Sequence, residues 1–143
     1  MNGESKLKNT VFLSGACRNI SEEERNSWRA WFETKTRQEM MCSKFEIFNP
    51  NRKFCYENDG TANEKVVMDY FLNRLDNSDI VVVNLKATLT SVGTGIEISR
   101  AKCMGKYIIG FNQCDTTYEY LADCCNVILD TKEDVWDFLV AYF

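Results

Sequence analysis

Short apolar runs alternate along the chain with longer stretches in which apolar residues recur at helical spacing. The apolar runs have the length and composition of buried strands, and they cover residues 10–14, 45–48, 80–83, 107–111 and 126–129. The amphipathic stretches between and after them predict helices over about residues 22–39, 64–76, 95–104 and 132–143, and a short helix or turn over 118–124.

This alternation favours a parallel sheet with helices on both faces, because each connection between neighbouring parallel strands crosses over the sheet. We expect a single domain, residues 1–143, with a flavodoxin-like three-layer α/β fold and a five-stranded parallel sheet in the order 2-1-3-4-5. The ligand crevice would then lie between the carboxyl ends of the first and third strands. The polar stretch 51–63 is long for a connection, and we expect it to cover a ligand.

The charge and hydropathy of the chain argue against nucleic-acid polymers and membranes as partners. The formal net charge is -4, and no Lys/Arg cluster is dense enough to follow a phosphate backbone. No apolar segment approaches the ~18 residues of a membrane-spanning helix, and the polar start MNGESKLKNT lacks the apolar core of a signal peptide. We therefore expect a cytoplasmic protein whose seven cysteines are reduced thiols.

The absence of histidine narrows the possible chemistry. It excludes Ser-His and Cys-His triads, histidine general bases and histidine-ligated metals, and the cysteines lack the spacing of a zinc site. No P-loop or GxSxG elbow is present, and Gly93-Thr94-Gly95 lacks the third glycine of a dinucleotide fingerprint. We expect neither a metal nor a cofactor, so the chemistry would depend on carboxylates, Tyr, Lys or Cys.

Glu97 is the carboxylate that the pattern singles out. It follows the most apolar strand and lies near the first turn of a predicted helix, where the helix dipole would keep it ionised. Gly93 and Gly95 let a ligand approach the backbone, while Ser91 and Thr94 add hydroxyl groups. The alternative is a solvated carboxylate that only stabilises its own helix, by ~0.3–1 kcal/mol.

The loop after the first strand would face Glu97 across the crevice. Gly15 ends that strand, which is how α/β folds begin a ligand site, and Arg18 follows three residues later. Arg18 would add a cation to the site; its alternative role is that of an ordinary surface arginine.

Several segments together resemble the nucleoside 2-deoxyribosyltransferase family. They are VFLSGACR, SWRAW, FEIFNP, NSDIVVVNL, SVGTGIEISRA, GKYIIGFN and YLADCCNVILD, followed by the final aromatic helix, and they extend over nearly the whole chain. The SxGTxxE block after an SDxVVVN strand is the specific part. Many transferases of the family carry an aspartate at the position of Ser91. The serine found here resembles instead the branch that hydrolyses nucleoside 5′-monophosphates.

The resemblance implies cleavage or exchange of the N-glycosidic bond in 2′-deoxynucleosides or their 5′-monophosphates, without a cofactor. Glu97 would attack the anomeric carbon and displace the base, and a second base or water would then release the sugar from the covalent ester. The residues expected to bind substrate are Gly15, Arg18, Asn49, Ser91, Gly93, Thr94 and Gly95. The family also implies a homodimer or larger homo-oligomer in which a neighbouring subunit completes the site.

One position departs from the family pattern. The family usually carries an aspartate, which assists the departing base, eight residues before the Asp of the SD pair, and this chain has Phe71 there. Asp69 is the expected substitute and Asp76 the other nearby acid, although two residues rotate a helical side chain by about 200°. Without either, leaving-group protonation, commonly worth ~10²–10⁴ in rate, is lost. A catalytically impaired nucleotide-binding protein and a flavodoxin-like interaction module are therefore the alternatives.

Overall fold

The computed structural model describes residues 8–52 and 64–143 of the chain, and strands alternate with helices there in the predicted order. The strands are β1 (Asn9–Gly15), β2 (Phe45–Phe48), β3 (Ile80–Asn84), β4 (Tyr107–Phe111) and β5 (Val127–Leu129). Of the stretch 51–63, which was expected to cover a ligand, positions 53–63 lie outside the described residues, so that expectation stays a prediction.

The helices lie between and after the strands, and the first and the last of them begin with side-chain caps. The helices are α1 (Glu22–Gln38), α2 (Glu64–Asp76), α3 (Val92–Cys103), α4 (Glu119–Asp123) and α5 (Lys132–Tyr142), with single 3₁₀ turns at Pro50–Arg52 and Thr88–Thr90. Ser21 and Thr131 accept hydrogen bonds from the first turns of α1 and α5, which satisfies backbone donors that the helices leave unpaired. Among the described residues, none of these helices is long and apolar enough to cross a bilayer.

The sheet is parallel throughout, with the strand order β2-β1-β3-β4-β5. This confirms the predicted three-layer α/β fold with strand order 2-1-3-4-5. β1 pairs with β3 from Val11↔Ile80 to Gly15↔Asn84, whereas its pairing with β2 already ends at Phe12↔Phe48. The carboxyl ends of β1 and β3 therefore extend past β2 and border the crevice.

Each face of the sheet packs against its own set of helices. Successive residues of a strand point to opposite faces, so Val11 and Leu13 pack with Trp28 of α1 and with α5. Phe12 packs on the other face, in a cluster with residues of α2, α3 and α4. Ser14 continues the Phe12 side of β1, and this fully buried serine therefore faces α3.

Helix α3 begins at Val92, three residues before the predicted start at Gly95. The backbone N–H of Gly95 already donates to the carbonyl of Ser91, so Gly93 and Gly95 lie within the helix instead of in a loop before it. Glycine costs about 1 kcal/mol per residue in a helix, and the burial of the apolar side of α3 offsets that cost. As a consequence Glu97 lies in the second turn of the helix and not near its first.

Candidate active site

A hydrogen bond joins the end of β1 to α3. The hydroxyl Oγ of Ser14 donates to Oε1 of Glu97 at 2.6 Å. Ser14 follows the apolar run Val11–Leu13 of β1, and its position on the α3 side follows from the alternation of side chains along the strand. Sequence reasoning did not select Ser14, although a lone hydroxyl at the carboxyl end of a buried strand was the available signal.

A buried arginine fixes the other side of the strand end. Arg29 of α1 is 1% exposed, and its guanidinium donates to the carbonyls of Leu13 at 3.5 Å, Gly15 at 2.9 Å and Arg25. The first two carbonyls lie beyond the last residue that β1 pairs with β2, so the guanidinium supplies donors where the neighbouring strand has ended. It also lies over the ring of Trp28, 4.6 Å from its centroid.

Burial controls the ionisation of Glu97. The residue keeps some exposed surface, but its carboxyl group is surrounded by protein, and this desolvation raises its pKa to about 7. The Ser14 hydrogen bond and the positive charge of Arg29 both lower the pKa, yet they offset only part of the effect of burial. The expectation that the helix dipole keeps Glu97 ionised was therefore wrong, because the dipole acts within the first turn and desolvation dominates in the second.

The start of α3 brings together the half-buried hydroxyl of Ser91, the buried hydroxyl of Thr94 and the amides of the first turn. The hydroxyls of Ser91 and Thr94 lie 2.6 Å apart. The N–H groups of Val92, Gly93 and Thr94 have no acceptor within the helix, because they belong to its first turn. A methyl group added at Gly93 would meet nothing within 4 Å, so a ligand has free access to the backbone there. Such a helix start suits a small anion.

Gly15, Arg18 and Asn49 are not hydrogen-bonded to Glu97 in the described structure. A Cβ at Gly15 would lie 2.9 Å from Cζ2 of Trp28, so packing against the tryptophan explains this glycine. Arg18 is exposed in the turn that follows β1. The Asn49 side chain donates to Glu33 at 2.9 Å and accepts from the backbone N–H of Asn51 at 3.0 Å. The substrate-binding roles of these three residues stay predictions.

Asp69 and Asp76 of α2 are engaged away from Glu97. Asp69 is exposed and forms an ion pair with Lys65, with Nζ and Oδ2 2.9 Å apart. Asp76 accepts two hydrogen bonds from Arg100, at 2.6 and 2.7 Å, and these bonds lower its pKa. Because α2 begins at Glu64 as predicted, the expected substitute Asp69 stays on the exposed side of the helix.

Phe71 occupies the buried side of α2. It is 7% exposed and packs in the same cluster as Leu75 and as Ile98 of α3. Among the described residues, the groups that act on the charge of Glu97 are Ser14 and Arg29, and no carboxylate is among them. The site as described therefore has a carboxylate nucleophile candidate without an acidic partner.

Two depressions lie near this edge of the sheet. A groove of about 660 Å³ runs along α3 and includes Ser91 and Gly95 in a mostly apolar lining. A cavity of about 350 Å³ lies on the opposite face of the sheet, between α1 and α5, and its lining includes Trp28 and Asn84 but not Glu97. Neither lining includes Glu97. The groove adjoins the start of α3 through Ser91 and Gly95, and the cavity adjoins the ends of β1 and β3 through Ala16 and Asn84.

The described part of the chain contains neither a disulfide nor a group of side chains placed to hold a metal ion. The cysteines there are free thiols. No cluster of three or more His, Cys, Asp or Glu side chains in those residues is placed to hold a metal ion.

No family model and no curated protein matches the sequence, but solved structures do. A 2-deoxyribosyltransferase from Bacillus psychrosaccharolyticus superimposes with a TM-score of 0.67 at 17% identity, over 88% of this chain and 89% of that one. A 2-deoxyribosyltransferase from Leishmania mexicana gives 0.62 at 13% identity, over 94% and 98%. The chain has the fold of the nucleoside 2-deoxyribosyltransferases. A CMP N-glycosidase from Clostridium botulinum is also similar, with a TM-score of 0.53 at 20% identity over 94% and 99% of the two chains. The resemblance seen in the sequence is thereby confirmed as a likeness of fold.

Substitution of Ser14 should raise the pKa of Glu97 above its value of about 7, because the hydroxyl stabilises the ionised carboxylate. We expect Ser14→Ala to show this shift in a carboxyl ¹³C NMR titration, with the Glu97 signal assigned from its loss in Glu97→Gln. Ser78→Ala is the matched control, since it also removes a buried hydroxyl, one that donates to the carbonyl of Arg74 at 2.7 Å. An unchanged Glu97 titration in Ser14→Ala would contradict the assigned role of the hydroxyl.

The raised pKa of Glu97 should also make the folded state less stable as the pH rises. The pKa of Glu97 is near 4.5 in the unfolded chain and about 7 in the folded protein, so the folded protein binds this proton more tightly. The protonated Glu97 therefore contributes its full stabilisation below pH 4.5, and this stabilisation is lost as the pH rises through about 7. The loss amounts to roughly 3 kcal/mol. Urea unfolding of wild type and Glu97→Gln from pH 4.5 to 8 measures it. As the pH rises, the free energy of unfolding of wild type should fall relative to that of Glu97→Gln. A difference between the two proteins that stays constant with pH would refute the linkage.

Proposed function

We propose that the protein cleaves or exchanges the N-glycosidic bond of 2′-deoxynucleosides or their 5′-monophosphates, with Glu97 as the nucleophile. The observation that carries this proposal is the Ser14–Glu97 hydrogen bond at the carboxyl edge of the sheet, beside a helix start that suits an anion. The fold supports it, because the similar solved structures include 2-deoxyribosyltransferases and a CMP N-glycosidase.

In the proposed reaction the ionised form of Glu97 attacks the anomeric carbon. Ser14 occupies Oε1, which leaves Oε2 to form the bond to C1′ while the bond from C1′ to the base nitrogen breaks. The product is a glycosyl ester, which is the intermediate of a retaining mechanism. A second base that attacks C1′ completes a transfer, and water completes a hydrolysis.

The start of α3 is the proposed binding site for the 5′ end of the substrate. The Ser91 and Thr94 hydroxyls and the free amides of the first turn offer donors to a 5′-hydroxyl or a 5′-phosphate. Gly93 and Gly95 leave that surface open, since a Cβ at either position would meet nothing within 4 Å. Arg18, on the turn after β1, would add a cation for the phosphate or a donor for the base.

A nucleotide-binding protein with impaired catalysis is the second candidate. The observation in its favour is that Phe71 fills the side of α2 where an acid for the departing base was expected. The same pocket would then bind nucleotides without efficient cleavage.

We also propose that two or more copies of the chain assemble through the surface around the start of α3. Leu89, Val92, Ile96 and Tyr118 are between 42% and 77% exposed there, which is unusual for large apolar side chains that lie close together along one groove. Val92→Glu should therefore lower the mass measured by light scattering after size-exclusion chromatography. Ile128→Glu, at an exposed residue of the edge strand β5, is the control, and a monomeric wild type would refute the assembly.

Base release from 2′-deoxynucleosides and their 5′-monophosphates tests the proposed function. Wild type should release base, and Glu97→Gln should lower kcat/KM by about 10³-fold or more, because it removes the attacking oxygen. Glu22→Gln, at an exposed carboxylate in the first turn of α1, is the matched control and should keep the wild-type rate.

The same assay separates the two candidates. If wild type releases no base but nucleotides raise its melting temperature, the binding protein is the correct assignment. If nucleotides neither react nor shift the melting temperature, both candidates are wrong.

A further inference from the structure

Among the described side chains of α2, the helix that packs against the nucleophile helix, none offers a proton to a departing base. Phe71 of α2 lies in the buried cluster with Ile98, the residue next to Glu97. Asp69 and Asp76 of this helix are held elsewhere, Asp69 by Lys65 on the exposed side and Asp76 by Arg100. A pair of the kind found in glycosidases, with one carboxylate as nucleophile and another as acid, is therefore not assembled among the described residues.

The groups that do touch Glu97 cannot replace that acid in the first step. Glu97 must be ionised to attack, so it carries no proton to donate while its bond to C1′ forms. The Ser14 proton points at Glu97 itself. Arg29 is 1% exposed and its guanidinium is bound to backbone carbonyls, and an arginine does not give up its proton in a protein.

The need for an acid depends on the charge of the base. In a neutral nucleoside the electron pair of the breaking C1′–N bond moves onto the base, which leaves as an anion unless it is protonated. General acid catalysis of such a step is commonly worth 10²–10⁴ in rate. When the base is already cationic, as in a pyridinium or an N7-alkylated purine nucleoside, the electron pair cancels that charge. The base then leaves as a neutral molecule and requires no proton.

We propose that the preferred substrates of this site are cationic N-glycosides, whose base departs as a neutral molecule. This inference rests on the proposed function, because it uses Glu97 as the nucleophile. Oε2 of Glu97 forms a bond to C1′, the C1′–N bond breaks, and its electron pair neutralises the ring nitrogen. Water then attacks C1′ of the ester, releases Glu97 as a carboxylate and loses one proton to solvent.

The electrostatics of the site agree with a cationic substrate. A carboxylate that has been taken out of water gains most from an approaching positive charge, which also favours its ionised, attacking form. Aromatic rings line the neighbouring part of α2 and β2, where the ring centroids of Phe48 and Tyr70, and of Tyr70 and Phe71, are 6.0 Å apart.

A pair of substrates that differ by one methyl group tests the inference on the unmodified protein. The pair is 2′-deoxyguanosine 5′-monophosphate and its N7-methylated form, which share the sugar, the phosphate and nearly the same size. We expect kcat/KM to be at least ~100-fold higher for the methylated, cationic substrate, which is the lower bound of the missing acid contribution. Rates within about threefold of each other would overturn the inference, because they would show that an acid operates.

A variant supplies the acid and should reduce this preference. Phe71→Asp is expected to raise the rate on the unmethylated nucleotide at least ~10-fold and to leave the rate on the methylated one within about threefold of wild type. Phe71→Leu is the control for altered packing and should keep the wild-type ratio. Melting temperatures show whether each variant folds, and if Phe71→Asp does not, the substrate pair on wild type decides alone.

The outcomes distinguish this inference from the proposed function. Cleavage of both nucleotides at similar rates that depends on Glu97 refutes the preference and leaves the proposed function intact. Absence of cleavage of either nucleotide refutes both.

Discussion

The hydrogen bond between Ser14 and Glu97 is the contact on which the rest of the candidate site depends. It joins the interior strand β1 to the helix that follows β3, and it holds a carboxylate at the point where the two strands end. Removal of a carboxyl group from water is costly, and here one neutral donor and one more distant cation compensate for part of that cost. The fold thus holds the candidate nucleophile where burial disfavours its ionised form, as active sites often do.

The position of Arg29 follows from the unequal lengths of the strands. Because β2 stops at Phe48, the last carbonyls of β1 would face the interior without a donor, and the guanidinium of Arg29 supplies it. The same geometry brings a fixed positive charge within range of Glu97 without a direct ion pair. The arginine that pairs with the last carbonyls of β1 therefore also contributes positive charge to the site.

The fold was predictable because its signals are local. The run Ile80–Val83 is apolar on both sides of the strand, and the strict alternation of strands and helices leaves few parallel arrangements. The site was only partly predictable. The site stands out by the type and spacing of Glu97, Ser91 and the two glycines. Because glycine is more common in loops than in helices, however, the pattern predicts that α3 begins at Gly95, three residues after its actual start. Arg29 resembles any arginine of an amphipathic helix, and its role depends on where another strand ends.

The early start of α3 has a geometric consequence. With Gly93 and Glu97 in one continuous helix, the amides that suit an anion and the carboxylate are four residues apart along a rigid rod, which corresponds to an axial rise of about 6 Å. A flexible loop would allow that separation to vary, whereas a helical turn fixes it. The helix therefore keeps the separation between these amides and the carboxylate constant, and in the proposed reaction the sugar with its 5′ substituent would have to span it. Selection among nucleosides, monophosphates and longer phosphate chains would then depend on length as much as on charge.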